Sequence, residues 1–321
     1  MGRGTKICLW VGAFLILTGC ILCISAALAN NMNWEALSTM KPETNEYELT
    51  ESFQNISIIS DTADIQFIAT ENTVCKVICH EQVNIKHRVS ISEGTLTVEK
   101  HDTRKWYEYI GIYFRMPKIT VYLPKGTYGT LSVKGSTGDV EIPSDFQFES
   151  MDISISTGHV TSHASTTGNM RIKTSTGNIH LENVSANTID LQVSTGKISA
   201  TRIACHLDLR ACVSTGDTEL ALVHCRNFTS TGSTGDLSLK NVVAAGNFSI
   251  ERSTGHVTLD SCDAAELAIK TDTGYVKGTL QSDKVFIIKT DTGNIDVPET
   301  ITGGKCKITT STGDVQIQIA K

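Results

Sequence analysis

One four-residue phrase governs what this chain can become. Ser-Thr-Gly-(Asp/Asn) first appears at Ser136-Thr137-Gly138-Asp139 and last at Ser311-Thr312-Gly313-Asp314. Its glycine recurs as Gly138, Gly158, Gly177, Gly196, Gly216, Gly235, Gly255, Gly274, Gly293 and Gly313, always 19 or 20 residues apart. A self-similar unit at a nearly constant interval marks a repeat architecture.

The flanks are as regular as the glycine. Seven residues before it stand Leu131, Met151, Met170, Ile189, Leu209, Phe228, Phe248, Leu267, Phe286 and Cys306. Five before it the residues are again mostly apolar, from Val133 to Ile308, with polar residues such as Asp152, Arg171, Asp190 and Arg210 between the two columns. That is period two, a strand with one buried face. Two residues after the glycine the pattern restarts with Val140, Val160, Ile179 and their counterparts, with Thr218 alone out of line. Each unit therefore reads as strand, glycine turn, strand and return loop. About five inward side chains per unit give roughly 10 kcal/mol of gross burial, less than the ordering entropy of about 1.5 kcal/mol per residue, so no unit is stable alone. A strand-turn-strand unit also suits antiparallel hairpins. Hairpins tolerate drift in loop length, however, whereas in-register stacking demands a constant one. The expected fold is all-β: a parallel β-solenoid of about ten rungs over 129–321, a rod on the order of 48 Å long at about 4.8 Å per rung.

Residues 1–30 lie outside this scheme. Arg3 and Lys6 precede an uncharged apolar run, Ile7 to Ala29, long enough to cross a bilayer as a helix. The basic flank predicts a cytoplasmic tail 1–6, a transmembrane helix 7–29 and an external C-terminal part. Ala27-Leu28-Ala29 would suit a cleavable signal, but the run exceeds the usual 7 to 15 residues. Leu17-Thr18-Gly19-Cys20 has the form of a bacterial lipoprotein signal, yet Ile21 to Ala29 stays apolar where such a protein turns polar. Residues 30–46 read as a polar linker. Residues 47–128 read as irregular strands without the Thr-Gly interval, an N-terminal β cap covering the open end of the stack.

Without Arg3 and Lys6, 26 basic residues face 34 acidic ones, a net charge of about −8 with no basic run. Nucleic acid is excluded as a partner. Cys262 and Cys306 fall at core registers. Cys205 and Cys225 share one register on successive rungs and read as small core side chains, since parallel neighbours hold Cβ atoms wider than a disulfide prefers. Asp272-Thr273-Gly274 and Asp291-Thr292-Gly293 spell the aspartic-protease triplet, but both sit in the repeat register as stacked copies. Cys205-His206 and His224-Cys225 carry zinc-ligand types, on residues that point to opposite faces of a strand. Asp152, Arg171, Asp190 and Arg210 alternate on successive rungs and read as salt bridges on a solvated face. A polysaccharide-active enzyme would have to build its carboxylates there. The reading is of no catalytic residue, no metal and no cofactor. Trp106, Tyr107, Tyr109 and Tyr113 form the one aromatic cluster able to anchor a partner.

The ordered set of the apolar helix, Phe53-Gln54-Asn55-Ile56-Ser57-Ile58, Gly94-Thr95-Leu96-Thr97-Val98, Val121-Tyr122-Leu123-Pro124-Lys125-Gly126-Thr127-Tyr128 and the Ser-Thr-Gly-Asp series resembles a bacterial family. Its members are membrane-anchored proteins with a β-strand-repeat domain of unknown function, grouped with adhesins. The resemblance implies a non-enzymatic surface protein of the cell envelope, with no catalytic residues to carry over. An accessory role in envelope-stress sensing is the second expectation. Implied partners are the membrane through 7–29 and an envelope protein or glycan. The last strand, Val315 to Ile319, is expected to offer an open edge for self-association.

Overall fold

The computed structural model describes residues 2–29, 31–32, 41–105 and 116–320. Helix α1 (Arg3–Ala29) is continuous, about 40 Å long at 1.5 Å per residue, and so exceeds the roughly 30 Å hydrocarbon core of a bilayer. Its hydroxyls turn back onto the helix: Thr18 Oγ1 donates to the carbonyl of Phe14 at 2.9 Å and Ser25 Oγ to that of Leu22 at 3.0 Å. An apolar environment then meets few unsatisfied polar groups.

Everything described after the helix region is strand and turn. The first strands are β1 (Pro42–Leu49), β2 (Asn55–Thr62), β3 (Asp64–Thr70), β4 (Cys75–Gln82), β5 (Ile85–Ser92), β6 (Thr95–Asp102), β7 (Lys118–Pro124), β8 (Gly126–Thr137) and β9 (Val140–Ile142). From β8 onward each rung pairs in parallel and in register with its neighbours, as in Ile172 beside Leu191 beside Ala211. The architecture is the β-solenoid expected. A central rung buries seven side chains rather than five: Ile189, Leu191, Val193, Ile198, Ala200, Ile203 and Cys205 are each at most 4% exposed. The alternation slips by one residue between Ala200 and Ile203, where Arg202 takes a left-handed φ of 56°. Asn183, Leu222, Asn241 and Ser261 do the same in their own rungs, at φ of 50° to 57°. This second corner turns the chain and resets which residues point inward.

The first corner explains the invariant glycine. At the ten repeat glycines φ lies between 126° and 153°, a region nearly closed to other residues. A Cβ on Gly177 would also sit 1.9 Å from the carbonyl oxygen of Gly158, and one on Gly274 would sit 2.0 Å from that of Gly255. Glycine is thus required both by the turn and by the rung below.

The two ends depart from sequence order in the same way. At the N-terminal end β2 pairs with β8 on one side and β6 on the other, and β3 pairs with β9 and β7, all in parallel. The β2–β3 rung therefore lies between the β6–β7 rung and the first glycine rung. Residues 55–70, 95–102 and 118–124, placed by the sequence within the cap, build rungs of the stack itself. The cap proper is antiparallel: β5 runs against β6, β4 against β7 and β1 against β4. Strand β1 starts at Pro42, inside the stretch expected to be linker. Its half-buried face carries Glu43, Asn45, Tyr47 and Leu49, too polar to announce a strand.

At the other end the last strands, Gly304–Thr312 and Val315–Ile319, insert between the Gly274 rung and the Gly293 rung. The amide of Gly274 donates to Thr312 and that of Gly313 to Thr292. This corrects two expectations. Val315 and Gln316 are paired on both sides and Ile317–Ile319 on one, whereas Lys284–Thr292 has a described partner on one side along its whole length and is the longer open edge. Asp272 and Asp291 are not stacked neighbours, because Thr310 and Thr312 pair with Thr271 and Thr273 on one side and with Thr290 and Thr292 on the other. The Ser311 corner stands between the two carboxylates.

Candidate functional site

The corner column is a structural ladder. At successive corners the side chain just after the turn residue accepts the backbone amide of its equivalent one rung on: Asp139 N–H to Asp64 Oδ1, His159 to Asp139, Asn178 to His159 Nδ1, Lys197 to Asn178, at 2.7 to 3.1 Å. The ladder resumes with Asp236 on Asp217, His256 on Asp236 and Tyr275 on His256. Asp, Asn and His share an acceptor atom at the right reach. The residue after the glycine can therefore change among these three without breaking the ladder.

Chemistry gathers elsewhere, where the antiparallel cap meets the β2–β3 rung. Along β4 the buried side chains are Cys75, Val77, Cys79 and Glu81, so an acid occupies a core register. Glu81 is 1% exposed, His87 on β5 is 4% and Ser60 on β2 is 5%. Glu81 Oε2 accepts both the backbone amide and Nδ1 of His87 at 2.7 Å, and its Oε1 accepts Asn45 Nδ2 from β1 at 2.7 Å. Nδ1–H is thereby committed to the carboxylate, leaving the Nε2 lone pair 3.0 Å from Ser60 Oγ. Tyr47 Oη donates to the carbonyl of His87 at 3.0 Å, which fixes the backbone of β5 from a third direction. The result is a serine hydroxyl, an oriented imidazole and a buried carboxylate in one line.

A cavity of about 500 Å³ opens on this line, with Ser60 and His87 in its wall. Ile85, Met116 and Pro117 supply an apolar side, while Asp61, Gln82, Lys100 and Arg104 supply a polar one. The Oε1 atom of Gln82 is buried without a hydrogen-bond partner. Lys100 is paired with Asp61, and Arg104 reaches Asp102 with an Nη2 to Oδ2 distance of 2.6 Å. The Arg104 hydrogen bonds hold the Asp102 carboxyl well below the usual carboxylate range. Cys79, Glu81 and His87 also bring three metal-ligand atoms within 4.8 Å of one another. Burial, with Glu81's charge second, pushes the Cys79 thiol up to about 12, so a neutral thiol faces a carboxylate and an imidazole already bonded to each other.

The residues singled out from sequence fare differently. Trp106, Tyr107, Tyr109 and Tyr113 lie outside the described residues. Cys205 and Cys225 are buried while His206 and His224 are exposed, so these four do not converge. Asp152, Arg171, Asp190 and Arg210 do stack in one row. Arg171 Nε lies 3.7 Å from Asp190, whereas Arg210 Nε donates to Cys212 Sγ at 3.1 Å. The sequence reading passed over Ser60, Glu81 and His87. Two signals were present: an acid in the alternating core series of β4, and Ser60-Asp61-Thr62-Ala63-Asp64, a corner copy with alanine for glycine.

Fold and helix together define a class, a parallel β-solenoid with interlocked ends behind one N-terminal apolar helix. The chain belongs to the Toastrack DUF4097 family, whose model matches residues 53–217 and again 206–321. Among curated proteins none matches it. Of solved structures, a proposed lipid-binding protein from Parabacteroides distasonis has 16% identity and a TM-score of 0.50, over 75% of this chain and 98% of that one. A proposed adhesin from the same species (12% identity, TM-score 0.49) and one from Parabacteroides merdae (12%, 0.48) each match over 88% of this chain and 98% of their own.

Proposed function

We propose that the chain is a membrane-anchored, adhesin-like binding or scaffold protein of the cell envelope, held by α1 with its solenoid outside the cell. The observation that carries this is the joining of a 27-residue helix, uncharged from Ile7 to Ala29, to a rod whose corners are closed by backbone and amide-accepting side chains. Such a rod projects a surface at low cost in flexibility. Binding asks no chemistry of the repeat corners, and within the Asp152 to Arg210 row Arg171 meets Asp190 across rungs while Arg210 bonds Cys212 on its own strand. Arg3 and Lys6 in the first turn of the helix favour this orientation.

Membrane fractionation with protease shaving of intact cells tests it. The full chain should sediment with membranes and lose its solenoid to external protease, and cells displaying it should retain an envelope or matrix ligand that cells without it do not. A soluble chain, or a solenoid protected in intact cells, would contradict the proposal.

A further inference from the structure

We propose that Ser60 is the nucleophile of a Ser-His-Glu site for acyl transfer from small carboxylic esters, housed in the cavity between the antiparallel cap and the β2–β3 rung. Three observations carry this. The hydrogen-bond line runs from Glu81 through His87 Nδ1 and Nε2 to Ser60 Oγ, at 2.7 and 3.0 Å. All three residues are at most 5% exposed, so the relay is shielded from bulk water, which strengthens each of its interactions. Ser60 and His87 both face a cavity of about 500 Å³, the size of a small-molecule site, whose Ile85, Met116 and Pro117 suit an apolar acyl group.

A network that only fastened the cap would need partners for each polar atom and no opening. Here the serine and imidazole open onto a cavity whose polar wall also carries Lys100 and Arg104, each held in an ion pair with Asp61 or Asp102.

The step balances without a cofactor. Ser60 Oγ attacks the ester carbonyl carbon as its proton passes to His87 Nε2, giving a tetrahedral oxyanion. Collapse breaks the bond to the leaving alcohol, which takes that proton from Nε2 and leaves an acyl-serine. Water then attacks, giving its proton to Nε2. Breakdown returns that proton to Ser60 Oγ and releases the carboxylic acid. Ser60 and His87 are the catalytic residues. Glu81 is a positioning residue, acting through the imidazole tautomer it imposes.

The test uses the full chain in detergent with a fluorophosphonate probe and p-nitrophenyl butyrate. Wild type should carry the probe on Ser60, identified by peptide mass, and should hydrolyse the ester at least roughly a hundredfold faster than Ser60→Ala. His87→Gln should lose labelling to a similar degree. Glu81→Gln should lower kcat with little change in KM, and Glu81→Asp should recover part of it, which a merely structural acid would not do. Ser60→Ala removes a single oxygen, and its circular dichroism verifies the fold if the other variants fail to fold. Folded wild type that takes no label at Ser60 and turns over no faster than Ser60→Ala overturns the site. The surface-binding proposal is read by a different assay and is untouched by that result.

Discussion

Arg252 shows how one residue reorganises a repetitive core. It stands three before its glycine, where other rungs place Val193 or Val213, and it is 1% exposed. Its Nη2 donates to Ser230 Oγ at 2.9 Å and Thr218 Oγ1 at 3.1 Å, while Nε and Nη1 find no partner. A Cβ on Gly232 would lie 1.6 Å from Nη1. Thr218, Ser230 and Gly232 are therefore one accommodation to one buried guanidinium, whose pKa burial lowers. Arg252→Ala should destabilise by about 2 kcal/mol or more through the void and stranded hydroxyls. The concerted set Thr218→Val, Ser230→Ile and Arg252→Val, with Gly232 kept because a Cβ there would also lie 2.8 Å from the carbonyl oxygen of Val213, should instead gain about 1 to 4 kcal/mol, measured by urea denaturation. The odd residues were visible in sequence, but their convergence was not, since 34 positions separate the outer pair. The buried thiols give a second residue-scale prediction. Burial pushes Cys75, Cys79, Cys225 and Cys306 from 9.0 up to about 12, and Cys262 to about 11. In the unfolded chain they ionise near 9, so between pH 9 and about 12 the native state holds protons that the unfolded state has lost. Stability is then independent of these groups below pH 9 and falls above it, by up to about 1.4 kcal/mol per thiol per pH unit. Urea midpoints followed across that range should fall less steeply in a Cys225→Ala, Cys262→Ala, Cys306→Ala variant. Equal slopes would remove the thiols as the cause.

Elements differ in how openly the sequence declares them. The glycine rungs are legible because turn, pleat and core repeat together, and the second corner is hidden because Arg202 and Leu222 are not residues that announce a left-handed φ. The end exchange was not legible for a deeper reason. Rungs of equal length and equal pattern satisfy the same periodicity in any order, so pairing at the ends is decided by the connections and by which rung leaves a better edge. Pro298, just beyond the short strand Ile295–Asp296 of the outer rung, cannot donate to a ladder, which suits it to an edge. The Ser60, His87 and Glu81 line was illegible for the same kind of reason: two of its members come from antiparallel strands with no interval to count. The insertion has a consequence for truncation. Removing 304–321 should strip Lys284–Thr292 of its only described strand partner and expose its amides, although those residues remain in the chain. Hydrogen exchange should show protection lost over 284–296 and kept over the Gly177 to Gly235 rungs. Protection retained over 284–292 would mean that this strand stacks directly on the Gly274 rung.

At the scale of the whole molecule the solenoid is closed differently at its two ends. The N-terminal end carries an antiparallel cap, and the cavity lies beneath it. The far end presents Lys284–Thr292, with Ile287 half exposed and Lys289 and Asp291 beside it, a charged edge of the kind that discourages indiscriminate strand addition. Both this strand and Ile317–Ile319 have a described strand partner on one side only. This pairing and the projecting-rod proposal depend on coils lying in register with the last one tucked inside. Cross-linking of corner cysteines with a short bifunctional thiol reagent reads that order directly, because cysteines on adjacent rungs have Cα atoms about 4.8 Å apart and those two rungs apart are separated by about twice that. With the reagent, Asp272→Cys with Ser311→Cys and Asp291→Cys with Ser311→Cys should each form an intramolecular bridge, and Asp272→Cys with Asp291→Cys should not. A bridge in the third pair and none in the first would show that the rungs stack in chain order.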